Sequence, residues 1–387
     1  MTIHLEPWEA TPQRIMGSET KSAASAHGEA EPPGERWLSA LVDSGWLPDG
    51  LLRWGIRRNC AARLREAAAG GEAEQQERRL RLIREITAGP IAIRTEAANA
   101  QHYEVPAEFF RRVLGRRMKY SCGYWPPGVN TLDASEEAML ALTAERARIE
   151  AGQEILELGC GWGSLTLYLA ERWPESRVTA VSNSRSQKEF IDGVAASRGL
   201  RNVQVITADM NQFEIAARFD RVVSVEMFEH MRNYPRLLGR IACWMRPGAL
   251  LFVHIFSHRR FAYPYEARGA GDWMARYFFT GGMMPSDALL PGFQEDLHCR
   301  EQWRLDGTHY QRTARAWLER MDADAPGVLR VLGGVYGPAE AHRWRERWRI
   351  FFMACEEMWG YRGGSEWGVC HYVFEEKSRR GTAGPRA

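Results

Sequence analysis

Residues 154–163 read Glu-Ile-Leu-Glu-Leu-Gly-Cys-Gly-Trp-Gly. The apolar run 155–158 has the length and composition of a buried parallel strand. It stops at Gly159, Gly161 and Gly163, and 164–172 then reads as a helix. Glycines in a strand-to-helix turn allow positive φ and let a ligand approach the backbone. A dinucleotide site spaces them G-x-G-x-x-G, with the third glycine inside the helix. Here the spacing is G-x-G-x-G, and Glu157 stands just before the turn. That carboxylate would repel a phosphate and hold an α-amino group. The turn therefore favours S-adenosylmethionine (SAM) over NAD.

Outward from this turn, helix and strand patterns alternate. The spacing predicts helix 135–149, strand 155–158, helix 165–172, strand 178–181, helix 186–198 and strand 203–207. Strand 220–225, helix 233–245 and strand 249–256 follow, and 369–374 reads as a last strand. Such alternation implies an α/β fold with a mostly parallel sheet and helices on both faces. Ligands then lie beyond the carboxyl ends of the strands. Residues 257–295, with clustered aromatics, Gly281-Gly282 and Pro285, interrupt the order and read as an insertion covering a substrate. Residues 35–100 are a helical segment with a break at Gly70-Gly71. The segments 1–34 and 377–387 read as a disordered arm and tail, leaving 101–376 for the catalytic domain.

Composition narrows the partners. A net charge of +2 with 26% charged residues leaves no electrostatic footprint for nucleic acid. No apolar run is long enough to span a bilayer. Glu6 and Glu9, with no apolar stretch beside them, do not fit a secretory signal. Seven cysteines without C-x-x-C pairs fit reduced thiols in a cytoplasmic protein, and no His/Cys cluster has metal-ligand spacing. About half of the 15 tryptophans follow residue 240, which points to an aromatic-rich substrate half.

Several residues at expected strand ends carry chemistry. Asn183 and Gln187 follow the second strand at helical i, i+4 spacing and can bond ribose hydroxyls; an N-cap and a surface amide is the competing reading. Asp209 and Met210 close the third strand, where the acid can accept from an adenine amino group while the thioether packs on the ring. Glu226-Met227-Phe228-Glu229-His230-Met231 ends the fourth, placing two carboxylates and an imidazole beside the expected methyl donor. His230 can take a proton from an ammonium, since imidazole titrates near ~6.5, and Glu229 can orient it or neutralise the ammonium. By themselves, His254, Cys122 and Tyr310 read as ordinary packing residues.

Taken together, 102–106 (His-Tyr-Glu-Val-Pro), Tyr120-Ser121-Cys122, 157–165 and Phe228-Glu229-His230 resemble the cyclopropane-fatty-acid synthase superfamily of SAM-dependent methyltransferases. The segments 229–234, 277–286 and 360–367 resemble its coclaurine N-methyltransferase-like branch. The resemblance spans about residues 95–376. It implies a class I, Rossmann-like methyltransferase fold, with SAM against Tyr120, Ser121, Gly159, Gly161, Asn183, Gln187, Asp209 and Met210. It also implies that Glu229 and His230 handle amine chemistry. In the lipid synthases a bicarbonate ion is held by Cys, Glu, His and Tyr, which here match Cys122, Glu229, His254 and Tyr310. Phe256 and Thr280 depart from the lipid pattern and favour the amine branch.

Three readings follow. The first is N-methylation of a small amine, with Trp273, Tyr277, Phe278, Phe279 and Trp359 as candidates for an aromatic box. The second is methyl or methylene transfer to an unsaturated membrane phospholipid, with the Arg-rich stretch 53–85 touching anionic lipid and bicarbonate as the base. The third, a non-catalytic SAM-binding protein, would have lost acid/base groups, whereas Glu229 and His230 are present. A second copy of the chain is the remaining candidate partner.

Overall fold

A computed structural model describes residues 36–93, 105–265 and 273–377. The arm expected at 1–34, all but the first residue of the tail, His102, Tyr103 and Glu104, and part of the covering insertion lie outside the described residues.

The sheet is built from β1 (Glu154–Leu158), β2 (Arg177–Ser182), β3 (Val203–Thr207), β4 (Phe219–Val225) and β5 (Met245–His258), all parallel. A two-stranded hairpin of β6 (Tyr263–Pro264) and β7 (Met283–Met284) follows. Then come β8 (Leu297–Asp306) and β9 (Trp367–Glu376), each antiparallel to its neighbour. The order is β3-β2-β1-β4-β5-β9-β8. Chain order reverses between β1 and β4, which opens a crevice beyond their carboxyl ends.

Alternation along the strands makes two cores. Leu250 and Phe252 of β5 face the helices Leu132–Arg146 and Ser164–Arg172, together with Ile155 and Val223. Leu251, Val253 and Ile255 face the helix Tyr234–Trp244, whose Leu237, Ile241 and Trp244 lie on one stripe. The alternation expected from sequence is therefore the sheet observed, with most element boundaries differing by a few residues.

The periphery packs onto this sheet. The helices Asp49–Ala68 and Glu72–Ala88, broken at Gly70-Gly71 as expected, lie against the rest of the chain. Arg53 and Arg57 pair with Glu357 at 2.8 and 2.7 Å, and Asp43 and Asp49 with Arg347 and Arg349, all on the helix Ala341–Trp359. Arg63, Arg78 and Arg81 pair with acids of their own helices, so much of the Arg-rich stretch is neutralised within the chain. The cover extends beyond residues 257–295. Helices Thr308–Ala323, Ala325–Tyr336 and Ala341–Trp359 pack over the strand ends through Trp317, Trp348, Phe351, Phe352 and Trp359. The cover is thus shared between 257–295 and this C-terminal helical layer. No described helix is long and apolar enough to cross a membrane.

Candidate active site

One deep cavity opens at the β1/β4 crevice. Its inner wall holds Tyr120, Ser121, Glu157, Gly159, Gly161, Asn183, Gln187 and Met210, as expected for the SAM side. The three glycines have different duties. All have positive φ, at 78°, 52° and 77°. A Cβ on Gly159 would meet Met227 Cγ at 2.6 Å, and one on Gly163 would meet Ile191 Cγ1 at 2.6 Å. Those two let chain pack on chain, and Gly163 does not line the cavity. A Cβ on Gly161 meets nothing within 4 Å, so this glycine is the one that leaves room for a ligand.

The polar groups here fit SAM. Glu157 is buried and accepts from Thr166 Oγ1, and burial pushes its carboxyl up to about 8. A ligand ammonium would supply the charge that ionises it. Gln187 is buried rather than a surface amide: its Oε1 accepts from Ser182 Oγ at 2.6 Å, while its Nε2 has no partner among the described residues. Ser164 Oγ is likewise buried on the cavity wall, with no partner among them. Such orphaned groups inside a cavity suit a polar ligand. Ser184 takes the N-cap role considered for Asn183, which leaves Asn183 on the cavity wall. Asp209 lies outside the lining, where its Oδ1 accepts from Asn211 N–H at 2.7 Å, the turn geometry that a strand-end Asp commonly supplies.

Across the cavity the chain places its acids differently from expectation. Cys122, His254 and Tyr310 do converge on an anion, and that anion is the carboxylate of Glu226. Oε1 accepts from Cys122 N–H at 2.9 Å and faces His254 Nε2 at 3.2 Å. Oε2 accepts from Tyr310 O–H at 2.6 Å. Glu226 sits at φ 48°, a left-handed conformation that costs a non-glycine residue about 1–3 kcal/mol and concentrates at functional sites. Glu229, matched to the anion site by sequence, is fully buried beside it and is not on the cavity wall. Its Oε1 accepts from Phe256 N–H at 3.3 Å and its Oε2 has no partner among the described residues. Burial and the neighbouring Glu226 push the Glu229 carboxyl well above the usual range. Burial also raises Glu226, but Lys119, Cys122 N–H and Tyr310 O–H oppose the rise. Glu226, with Cys122 N–H and Tyr310 O–H donating to it, is the carboxylate of the pair built to hold negative charge, while Glu229 is pushed toward its protonated form.

The Cys122 thiol is buried, its Sγ is 3.2 Å from Gly123 O, and burial raises it far above the thiolate range, so only its backbone serves the site. His254 is fully buried, off the cavity wall and pushed well below the usual imidazole range by burial and by the charges of Lys119 and Arg146. His230 is on the wall, with its ring 4.7 Å from that of Phe279. Of the rings proposed for a box, Phe279 and Trp359 line the cavity. Trp273, Tyr277 and Phe278 do not: Phe278 stacks on Phe351 at 4.4 Å, Tyr277 lies under the Arg347 guanidinium at 4.2 Å, and Trp273 packs on both. Phe256, Tyr265 and Tyr310 complete the wall, with Tyr310 stacked on Trp359 at 4.7 Å. Thr280, the other departure noted in sequence, also lines it.

Sequence reasoning quoted Glu226 without giving it a role, and it missed Lys119, Ser164 and Thr166. Lys119 is buried between the acids, with Nζ donating to Ser121 Oγ and, at 2.9 Å, to Cys122 O. A lysine three residues before a site cysteine carries no spacing signal of its own.

This sheet order, with a glycine turn after β1, an acid before that turn and an acid/base cluster after β4, defines a SAM-dependent methyltransferase of class I fold. The sequence model of the mycolic acid cyclopropane synthetase family matches residues 92–363, and the chain belongs to that family. It is 39% identical to (S)-coclaurine N-methyltransferase of Thalictrum flavum subsp. glaucum, over 88% of this chain and 95% of that enzyme. A solved coclaurine N-methyltransferase, bound to N-methylheliamine and S-adenosylhomocysteine, superposes with TM-score 0.86 at 37% identity, covering 89% of this chain and all of that one. Cyclopropane-fatty-acyl-phospholipid synthase of Escherichia coli (strain K12) is 29% identical over 59% of this chain and 57% of its own length.

Proposed function

We propose that the enzyme methylates the nitrogen of a small amine bearing an aromatic ring. The observation that carries this reading is the seat of Glu226. The groups that would hold a bicarbonate in the lipid chemistry instead grip a carboxylate of the chain itself. A fixed anion in a cavity walled by Phe256, Phe279, Tyr310 and Trp359 suits an organic ammonium, through ion pairing and ring faces. It does not suit a stretch of alkyl chain. The coclaurine N-methyltransferase likeness, in sequence and in structure, supports the same substrate class.

SAM, when bound, supplies an electrophilic methyl group on a sulfonium. The protein's part is to deliver a neutral amine to it. Glu226 pairs with the ammonium and orients its N–H. His230, on the same wall, accepts the proton at a ring nitrogen, and the amine lone pair is freed for attack. The counter-charge expected of Glu229 thus falls to Glu226. Glu229, protonated, keeps a second negative charge out of the pocket. The aromatic cover excludes water and fixes the approach of the nitrogen. The roles of Tyr120, Ser121, Asn183, Gln187 and Met210 toward SAM belong to this proposal, as does a cytoplasmic setting, which seven free cysteines favour.

His230→Ala tests the proton step. At neutral pH the variant should lose about 10²–10⁴-fold in kcat while SAM affinity stays within a few-fold of wild type. Its rate should climb as the pH approaches the pKa of the amine, because free amine then needs no base. A pH–rate profile matching wild type would leave His230 as packing for Phe279 only.

A further inference from the structure

His254 and His371 stand directly opposite one another on β5 and β9, and both are fully buried. Every nitrogen of the pair has a partner. Arg146, on the last turn of the helix Leu132–Arg146, places Nη1 2.8 Å from His371 Nδ1. His371 Nε2 is 2.9 Å from His254 Nδ1, and His254 Nε2 is 3.2 Å from Glu226 Oε1. The guanidinium itself lies over the Trp303 ring at 4.7 Å.

The chemistry of the end group sets the direction of all three bonds. A guanidinium has only donors. His371 Nδ1 must therefore accept, so the single proton of that neutral ring is on Nε2. His254 Nδ1 must accept in turn, and its proton is on Nε2, donated to Glu226. A third proton on the pair would set N–H against N–H at Arg146. Burial and the charges of Arg146 and Lys119 depress both imidazoles, in accord with this arrangement. The row cannot drain a proton from Glu226, because His254 Nε2 is already protonated and Arg146 cannot accept one.

We infer that Arg146, one turn beyond the cavity-lining Thr143 on the same helix, is a positioning residue for methyl transfer: through His371 and His254 it holds Glu226 as a pure hydrogen-bond acceptor toward the substrate. The inference rests on the proposed role of Glu226. The other groups acting on that carboxylate do not substitute for the lock. Cys122 N–H and Tyr310 O–H donate to it, and Lys119 acts through its charge. Burial pushes the Glu229 carboxyl and the thiols of Cys122 and Cys355 up, toward their uncharged forms.

Arg146→Met removes the block. His371 Nδ1 can then take a proton, the row can pass one to Glu226, and the carboxylate is neutralised as the pH falls. The acid limb of kcat/KM for the amine should move up by about one pH unit, a roughly tenfold loss there, with the alkaline plateau and SAM affinity unchanged. Arg146→Lys should restore the profile, because an ammonium also only donates. An unchanged acid limb, or an equal loss at every pH, would overturn the inference. In the wild-type enzyme, imidazole nitrogen NMR at neutral pH should show Nε2 protonated and Nδ1 bare on both rings. A proton on either Nδ1 would overturn it without any variant. Failure of the underlying reading looks different: Glu226→Gln would then turn over normally whatever the tautomers.

Discussion

Replacing Glu226 with Gln should cost the enzyme at least about 100-fold in kcat/KM for its amine, the scale on which removing a preorganised charge or an acid/base group acts. The swap keeps the shape of the side chain. The Gln oxygen can still accept from Cys122 N–H and His254, and Tyr310 can turn its hydroxyl to accept from the new amide. The φ of 48° at this residue is no harder for Gln than for Glu. Fold and SAM affinity should therefore survive while the ammonium loses its counter-charge. The same loss should not follow Cys122→Ser, since the cysteine serves through its backbone N–H. Steady-state rates across an amine series, with calorimetric SAM titration as the control, make the comparison. Near-normal turnover by the Gln variant would remove the ion pair from the mechanism.

Gly161→Val should abolish detectable SAM binding, weakening it by at least about 100-fold, or roughly 2.8 kcal/mol at tenfold per 1.4. The added Cβ meets no protein atom, so the side chain projects into the cavity where the ligand belongs. A β-branched residue at φ 52° also adds local strain, on the order of 1–3 kcal/mol. Gly163→Ala is the contrast. Its Cβ would strike Ile191 Cγ1, so it should lower the melting temperature through overpacking that typically costs about 1–3 kcal/mol. Calorimetry with SAM and thermal melts of both variants separate the two effects. Unchanged SAM affinity in Gly161→Val would place the ligand elsewhere.

The parallel strands were readable because local signals and tertiary context agree there. Strand β3 matches its expected span residue for residue, and the turn after β1 is bounded by glycines whose positive φ the fold uses. Strand β5 runs longer than its apolar stretch because β9 pairs with it out to His258, a partner that cannot be seen locally. Strand β8 went unread. Its polar residues alternate on an edge strand that packs only one face. The C-terminal helices went unread as cover because many of their aromatics serve each other: on the helix Ala341–Trp359, Trp348 reads like Trp359, yet one is core and the other is cavity wall. The two carboxylates of 226–229 show the limit most clearly. Composition places both beside the cofactor. Only the left-handed backbone at Glu226 turns one into the anion site and leaves the other as a buried acid.

The central claim is that this fold carries its own anion and methylates nitrogen. The direct measurement is mass spectrometry of purified enzyme with SAM, offered a panel of aromatic-ring amines and, separately, vesicles of unsaturated phospholipid, with and without bicarbonate. The account predicts an N-methylated amine formed at a rate indifferent to bicarbonate, and unaltered lipid. A modified acyl chain whose formation rises and falls with bicarbonate would contradict it.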